Sequence, residues 1–286
     1  MQVMPLPADS HVHSEWSWDT GGPVAPATGR MRQTCERAVR IGLPAVIFTE
    51  HVDFDDAWRV APEDMPKENR PYISPEGYLT PPRFDVDGYL GCIDRCRHDF
   101  ADLHVMTGVE WGQPHRSEQR ARALVDLESL DRINGSLHTL PVGEDSVEPI
   151  TLYREWPAED VVIAYLEEVP RMVDGSDVFE VFTHLDYAIR YWPTADAGPF
   201  DPSRFEDPMR AAMRAIADSG RALEMNTRRL QLWMPLWWRQ EGGRTASFGS
   251  DAHFPDKVGD GLPEATALLE HVGFRPGRRP EHFWTC

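Results

Sequence analysis

Positive charge is scarce in this chain. Its 286 residues carry 29 Lys and Arg against 47 Asp and Glu, a formal net charge of −18. Nucleic-acid backbones and anionic membranes demand positive charge on the protein, so neither is expected as a partner. A small anionic substrate is still allowed, because it needs only a local basic site. Long apolar runs are also missing: no stretch approaches the roughly 20 residues of a membrane span. Met1-Gln2-Val3-Met4-Pro5 lacks the basic and apolar regions of a secretory signal, so a cytoplasmic location is expected. Cysteine is confined to Cys35, Cys92, Cys96 and Cys286, too few for a disulfide framework in a chain this long. Cys92 and Cys96 would share a helix face, but two sulfurs do not fill a zinc site, and the thiols read as buried or idle. Neither G-x-G-x-x-G nor G-x-x-x-x-G-K-[ST] occurs, so nothing supports a dinucleotide or P-loop site. No internal repeat and no low-complexity tail is found.

What is present is a globular mixture, 41% apolar and 27% charged. A pattern recurs in it, in which short β-prone runs end in a residue able to bind metal or move protons. Val3 to Asp9 leads into His11 and His13, although Pro5 and Pro7 interrupt the run. Residues 45–48 lead into Thr49-Glu50-His51, and 104–109 into Glu110. Residues 133–137 lead into His138, 178–183 into His184, 222–225 into Asn226, and 246–250 into Asp251 and His253. Helix-like spacing separates these runs at 30–41, closed by Gly42, and at 89–100, 118–130, 158–173, 208–219 and 263–272. Strands alternating with helices imply a parallel sheet. Seven runs that all end in polar groups fit a barrel, whose strand ends share one face, better than an open sheet with a single switch point. One domain over residues 1–286 is expected, with long loops at 52–87 and 141–157. The first loop holds Pro62, Pro66, Pro71, Pro75, Pro81 and Pro82. Both follow strands that end in histidine, so they read as walls or lids over the site or, alternatively, as surface ornament.

Of eleven histidines, His11, His13, His51, His138, His184 and His253 sit at or just past the end of a strand-like run. Together with Glu110, Asp251 and Asp19 they suit zinc, iron or manganese. His11 and His13 are two apart, which on an extended strand points both rings to one side. Asp251 and His253 repeat that spacing.

The motifs DSHVH (9–13), FTEH (48–51), GVE (108–110), GSLH (135–138), THLD (183–186) and GSDAH (249–253) resemble those of the PHP (polymerase and histidinol phosphatase) family over residues 9 to 255. The nearest subgroup is the histidinol-phosphate phosphatases, which the run from His184 through Asp186 to Ile189-Arg190 supports. The resemblance implies an α/β fold, a distorted (β/α)7 barrel, with two to three divalent transition metal ions (Zn, Fe or Mn) at the C-terminal ends of the strands. Position by position it implies one ion on His11, His13, Glu110 and Asp251. A second would take His51, His253 and Asp19, and a third His138 and His184, with Glu110 bridging the third to the first. Glu15 is the alternative to Asp19, since some relatives carry a histidine in this loop. Glu110, Asp251 and His253 are implied in the chemical step. Ions of this kind ionise a bound water near neutral pH and neutralise charge on phosphate oxygens, so no Cys or Ser nucleophile is required.

A phosphate also calls for cationic donors. Arg190, Arg154 and Arg228 follow strand ends and are candidates, with surface salt bridges as the alternative. Asn226 is a candidate for contacting substrate or, alternatively, a strand cap. Trp233, Trp237 and Trp238 read as helix packing. The resulting expectation is a phosphomonoesterase of histidine biosynthesis acting on L-histidinol phosphate. The alternatives are a PHP-type enzyme for another small phosphate ester and a non-catalytic metal-binding module. A proofreading exonuclease is disfavoured by the absence of a polymerase domain and of a basic stripe.

Overall fold

The structure, a computed structural model, describes residues 6–21, 30–124 and 126–286. Seven strands run parallel and pair in chain order. They are β1 (Asp9–Val12), β2 (Ala45–Val52), β3 (His104–Gly112), β4 (Arg132–Ser136), β5 (Val181–Phe182), β6 (Ala222–Asn226) and β7 (Thr245–Gly249). A final two-residue strand, β8 (Trp284–Thr285), adds antiparallel to β7. The sheet curls until its edges meet. Val12 bridges Ala252, the Asp251 N–H donates to the His11 carbonyl at 2.8 Å, and the His13 N–H donates to the Ala252 carbonyl at 2.9 Å. Buried Asp9 locks this seam by accepting the backbone N–H groups of Ser250 and Gly259, each at 2.8 Å. The result is a distorted (β/α)7 barrel.

Among the described residues, a helix of seven or more residues follows each of the seven strands in turn: α1 (Met31–Ile41), α2 (Val86–Asp99), α3 (Pro114–Leu124), α4 (Ala158–Gly175), α5 (Glu206–Asp218), α6 (Met234–Gln240) and α7 (Leu262–His271). The reason is visible in α1, which buries Met31, Thr34, Cys35 and Ala38, one helical stripe, against the sheet. Gly42, at φ +74°, ends it with its N–H on the Ala38 and Val39 carbonyls. In α2 the Asp85 side chain accepts the Gly88 N–H and fixes the start. Cys35, Cys92 and Cys96 are buried and unpaired, and Trp237 and Trp238 are buried in α6. No helix among the described residues is long and apolar enough to cross a membrane.

Several boundaries differ from the sequence expectation. The first strand begins at Asp9 rather than Val3, and residues 1–5 lie outside the described residues. The fifth strand has only two residues, Val181–Phe182. The helix expected over 118–130 runs instead over Pro114–Leu124, because Pro114 presets the first helical φ. Asp126 then caps a separate short turn, accepting the Glu128 N–H.

The two long loops are not independent. Trp58–Arg59 and Tyr78–Leu79 from the first join Leu140–Val142 and Asp145–Val147 from the second in a four-stranded sheet. Trp58 pairs with Leu79 on one side and Ser146 on the other. Trp18, Trp58, Val60, Met65 and Leu79 form its own apolar core, separate from that of the barrel.

Candidate metal centre

The C-terminal ends of the strands converge on one carboxylate. Glu110, near the end of β3 and 1% exposed, faces five imidazoles. Its Oε2 lies 3.2 Å from His11 Nε2, 3.3 Å from His13 Nε2 and 3.2 Å from His51 Nδ1. Its Oε1 lies 3.2 Å from His138 Nε2 and 2.7 Å from His184 Nε2, and it accepts the Ser136 hydroxyl at 2.5 Å. Asp251 Oδ1 closes the first cluster, 3.5 Å from His13 Nε2 and 3.9 Å from His11 Nε2. Asp19 Oδ2 stands 2.7 Å from His253 Nε2 and 3.4 Å from His51 Nε2. Glu15 faces elsewhere: its carboxylate accepts the Met31 N–H at 2.5 Å and caps α1.

The donor set fits divalent ions. His11, His13 and Asp251; His13, His51 and His253; His11, Glu110 and His184; and His51, Glu110 and His138 each bring three ligand atoms within 4.8 Å of one another. His11 Nε2 and His13 Nε2 are only 3.1 Å apart, an arrangement that a shared cation relieves. Among the described residues, buried Asp19 Oδ1 and Glu110 Oε2 have no hydrogen-bond partner.

Further carboxylates orient the rings from behind. His11 Nδ1 meets Glu224 Oε2 at 2.5 Å, which turns Nε2 toward Glu110. His13 Nδ1 meets Ser17 Oγ at 3.0 Å, and that hydroxyl donates to Glu50 Oε2 at 2.6 Å. His138 Nδ1 meets Asp53 Oδ1 at 3.3 Å, and Asp53 Oδ2 accepts the Trp18 indole N–H at 2.9 Å. Two glycines leave the required room. A Cβ on Gly249 would sit 2.4 Å from His11 Cβ, and one on Gly112 would sit 2.0 Å from Asp53 Oδ1. His184 (φ +23°) and Asp251 (φ +53°) adopt left-handed backbone just past their strands, strain of the kind that collects at functional sites.

Electrostatics follow from this crowding. Burial alone would raise the Glu110 carboxyl, but the charges of His11, His51 and His138 outweigh it and hold it well below the usual carboxylate range. Burial opposes protonation of His51, yet Asp19 and Glu110 lift it to about 9. His11 is likewise driven well up, against burial, by Glu224 and Glu110. Burial and the Arg190 charge push His184 down to about 3, leaving a neutral ring with a lone pair to donate. The centre thus binds protons where ions would bind, and metal loading should release them.

A cavity of about 570 Å³ opens over the cluster, lined by Asp19, His51, Glu110, His138, His184, Asp251 and His253. Arg190, Arg228 and Arg229 line it too, as do Trp58, Asp64 and Glu68 from the first long loop and Glu148 and Ile150 from the second. The Arg190 side chain is 7% exposed; its Nη1 donates to Asp251 Oδ2 at 2.9 Å, its Nε lies 3.8 Å from Asp186 Oδ1, and Nη2 has no hydrogen-bond partner among the described residues. Arg228 donates to the Asp251 carbonyl at 3.1 Å.

Two sequence candidates fall elsewhere. Arg154 does not line the cavity: it lies on the surface in a two-pronged pair with Asp64 and near Glu63, so the salt-bridge alternative describes it. Asn226 does not line it either. Its Oδ1 accepts the Arg229 N–H at 3.1 Å, which makes it a cap on the turn after β6. Glu224, Glu50 and Asp53 were not among the sequence candidates. Glu224 is two residues before Asn226 on β6, and Asp53 is two residues past His51, so the period-two spacing that found His11 and His13 could have found both.

Fold and site together define a divalent-metal-binding α/β barrel. The PHP domain profile matches residues 9–228, and the chain belongs to the PHP domain family. It is 25% identical to a protein named "Probable histidinol-phosphatase" from Clostridium acetobutylicum, over 94% of each chain. It is 26% identical to a histidinol-phosphatase from Lactococcus lactis subsp. lactis, over 93% of this chain and 91% of that one. Among solved structures it is similar to histidinol phosphate phosphatase from Lactococcus lactis in complex with zinc, L-histidinol and phosphate. That match has a TM-score of 0.73 and 22% identity, and it covers 95% of both chains.

Proposed function

We propose that this protein is a metal-dependent phosphomonoesterase that hydrolyses L-histidinol phosphate. One observation carries the reading: six imidazoles gather with Glu110, Asp251 and Asp19 beneath a cavity that Arg190 also lines. Curated relatives spanning over nine-tenths of the chain support the choice of ester.

His11, His13, Glu110 and Asp251 would hold one ion, His51, His253 and Asp19 a second, and His138 and His184 a third, with Glu110 shared. Two to three divalent ions held by these residues would supply a nucleophilic water at neutral pH and neutralise charge on the phosphate. The chain does the rest. Glu224, Glu50 through Ser17, and Asp53 fix the rings. Asp251 divides its oxygens, Oδ2 to Arg190 and Oδ1 toward His11 and His13. Arg190 then has Nη2 to offer a phosphate oxygen, and Arg228 adds a second charge at the cavity wall. Asp251 and His253 face the cavity and act with Glu110 in the chemical step. The net charge of −18 is no obstacle, because bound ions would supply positive charge locally.

Kinetics on a panel of monoesters with metal-reconstituted protein test the proposal. The expected result is the highest kcat/KM with L-histidinol phosphate. A nucleotide or sugar phosphate in first place would keep the chemistry and replace the substrate. No turnover of any ester by the metal-loaded protein would leave a binding module.

A further inference from the structure

The cavity has a second polar end that phosphate chemistry does not use. Three carboxylates line it outside the ligand cluster: Asp64, Glu68 and Glu148. Asp64 is neutralised by Arg154, and Glu68 is exposed to solvent. Glu148 differs from both. It is 7% exposed, and among the described residues its side-chain hydrogen bond comes from the Tyr187 hydroxyl, which donates to Oε2 at 3.3 Å. Among the described residues it forms no ion pair. A carboxylate buried without a cation is costly, and folds retain one where something else supplies the charge.

Tyr187 sets the distance between the two ends. Its ring centroid lies 5.6 Å from the Arg190 guanidinium carbon and 5.2 Å from the rings of both His138 and His184, while its hydroxyl reaches Glu148. Glu148 therefore stands about one side chain away from the phosphate end. A phosphorylated amino alcohol, with its ammonium a few bonds from the ester oxygen, spans that gap.

Building on the proposed phosphatase activity, we infer that Glu148 receives the protonated amine of the substrate and so selects cationic phosphate monoesters over neutral ones. Glu148 is then a specificity residue, supplied by the second long loop, at the opposite end of the substrate from Arg190. The ammonium donates to the oxygen that Tyr187 leaves free, and the buried pair excludes esters that would leave the carboxylate unmatched.

The test compares L-histidinol phosphate with the same ester lacking its amine, using metal-loaded wild type and Glu148→Gln. A hydrogen-bonded charge pair corresponds to a factor of about ten or more in kcat/KM. Wild type should prefer the amine-bearing ester by at least that factor, and Glu148→Gln should bring the ratio toward one. Equal turnover of the two esters by wild type would overturn the role of Glu148 while leaving the phosphatase reading intact. A wild-type preference that survives in Glu148→Gln would do the same. No hydrolysis of either ester by wild type would overturn both.

Discussion

Replacing Arg190 with lysine keeps the charge and removes the fork. In the structure the guanidinium has two tasks. Nη1 donates to Asp251 Oδ2 at 2.9 Å, steadying a metal-ligand candidate, and Nη2 is buried without a hydrogen-bond partner among the described residues, in a side chain that lines the cavity. Burial disfavours its charge, but Asp186 and Asp251 more than restore it, so the group is always cationic. A lysine ammonium can keep the Asp251 pair or reach a phosphate oxygen, but it lacks the geometry for both. The loss is one charge-assisted hydrogen bond in the transition state, about 1.5–3 kcal/mol, or roughly 10- to 100-fold in kcat/KM. Steady-state phosphate release on Arg190→Lys, with metal content measured on the same sample, gives the value. Because Arg190 also steadies Asp251, a modest fall in metal content is compatible with the account. Near-wild-type kcat/KM would refute it, and would show that pairing with Asp251 and Asp186 is all that Arg190 does.

Glu110→Gln preserves size and removes the charge that five imidazoles share. Turnover should fall at least about a hundredfold, with metal content reduced and a far smaller change in thermal stability; unchanged turnover would remove Glu110 from the site. Away from the metals, Glu168 on α4 accepts from Arg116 at 2.7 Å and Arg171 at 2.8 Å and meets His115 Nε2 at 3.0 Å. Burial alone would raise its carboxyl, but these partners bring it down from 4.5 to about 2. The folded value lies below the unfolded one, so the stabilisation is complete above about pH 4.5 and disappears as pH falls through about 2. Glu168→Gln should therefore cost roughly 2–3 kcal/mol at neutral pH by urea denaturation, and the gap to wild type should narrow by pH 3. A gap constant between those two pH values would contradict the linkage.

The barrel and its ligand candidates were legible because both follow short-range rules. Strand ends carry polar residues to one face, and a spacing of two on extended chain aims His11 and His13 together. Glycine at 42 and the apolar stripe of α1 reported a helix and its end in the same local way. What escaped depends on distant partners. The four-stranded sheet is built from segments of two or three residues, too short for a period. It forms only because Trp58 finds Leu79 and Ser146 across about 20 and 90 residues of chain. Glu15 and Asp19 look equivalent in sequence, and they separate only because the Met31 N–H at the start of α1 needs an acceptor. Arg154 stayed a phosphate candidate beside its salt-bridge alternative because Asp64, its partner, lies in the other loop. Glu148 carries no motif, and it stands out only as a buried acid with no ion pair among the described residues.

The central claim is that metal ions held by the strand ends hydrolyse a phosphate monoester. The most direct measurement is elemental analysis paired with phosphate release from L-histidinol phosphate, before and after a strong chelator and again after divalent ions are restored. The account predicts two to three transition ions per chain, loss of phosphate release with the ions, and recovery on their return. Near-zero metal with hydrolysis retained in chelator, or fully loaded protein that releases no phosphate, would contradict it.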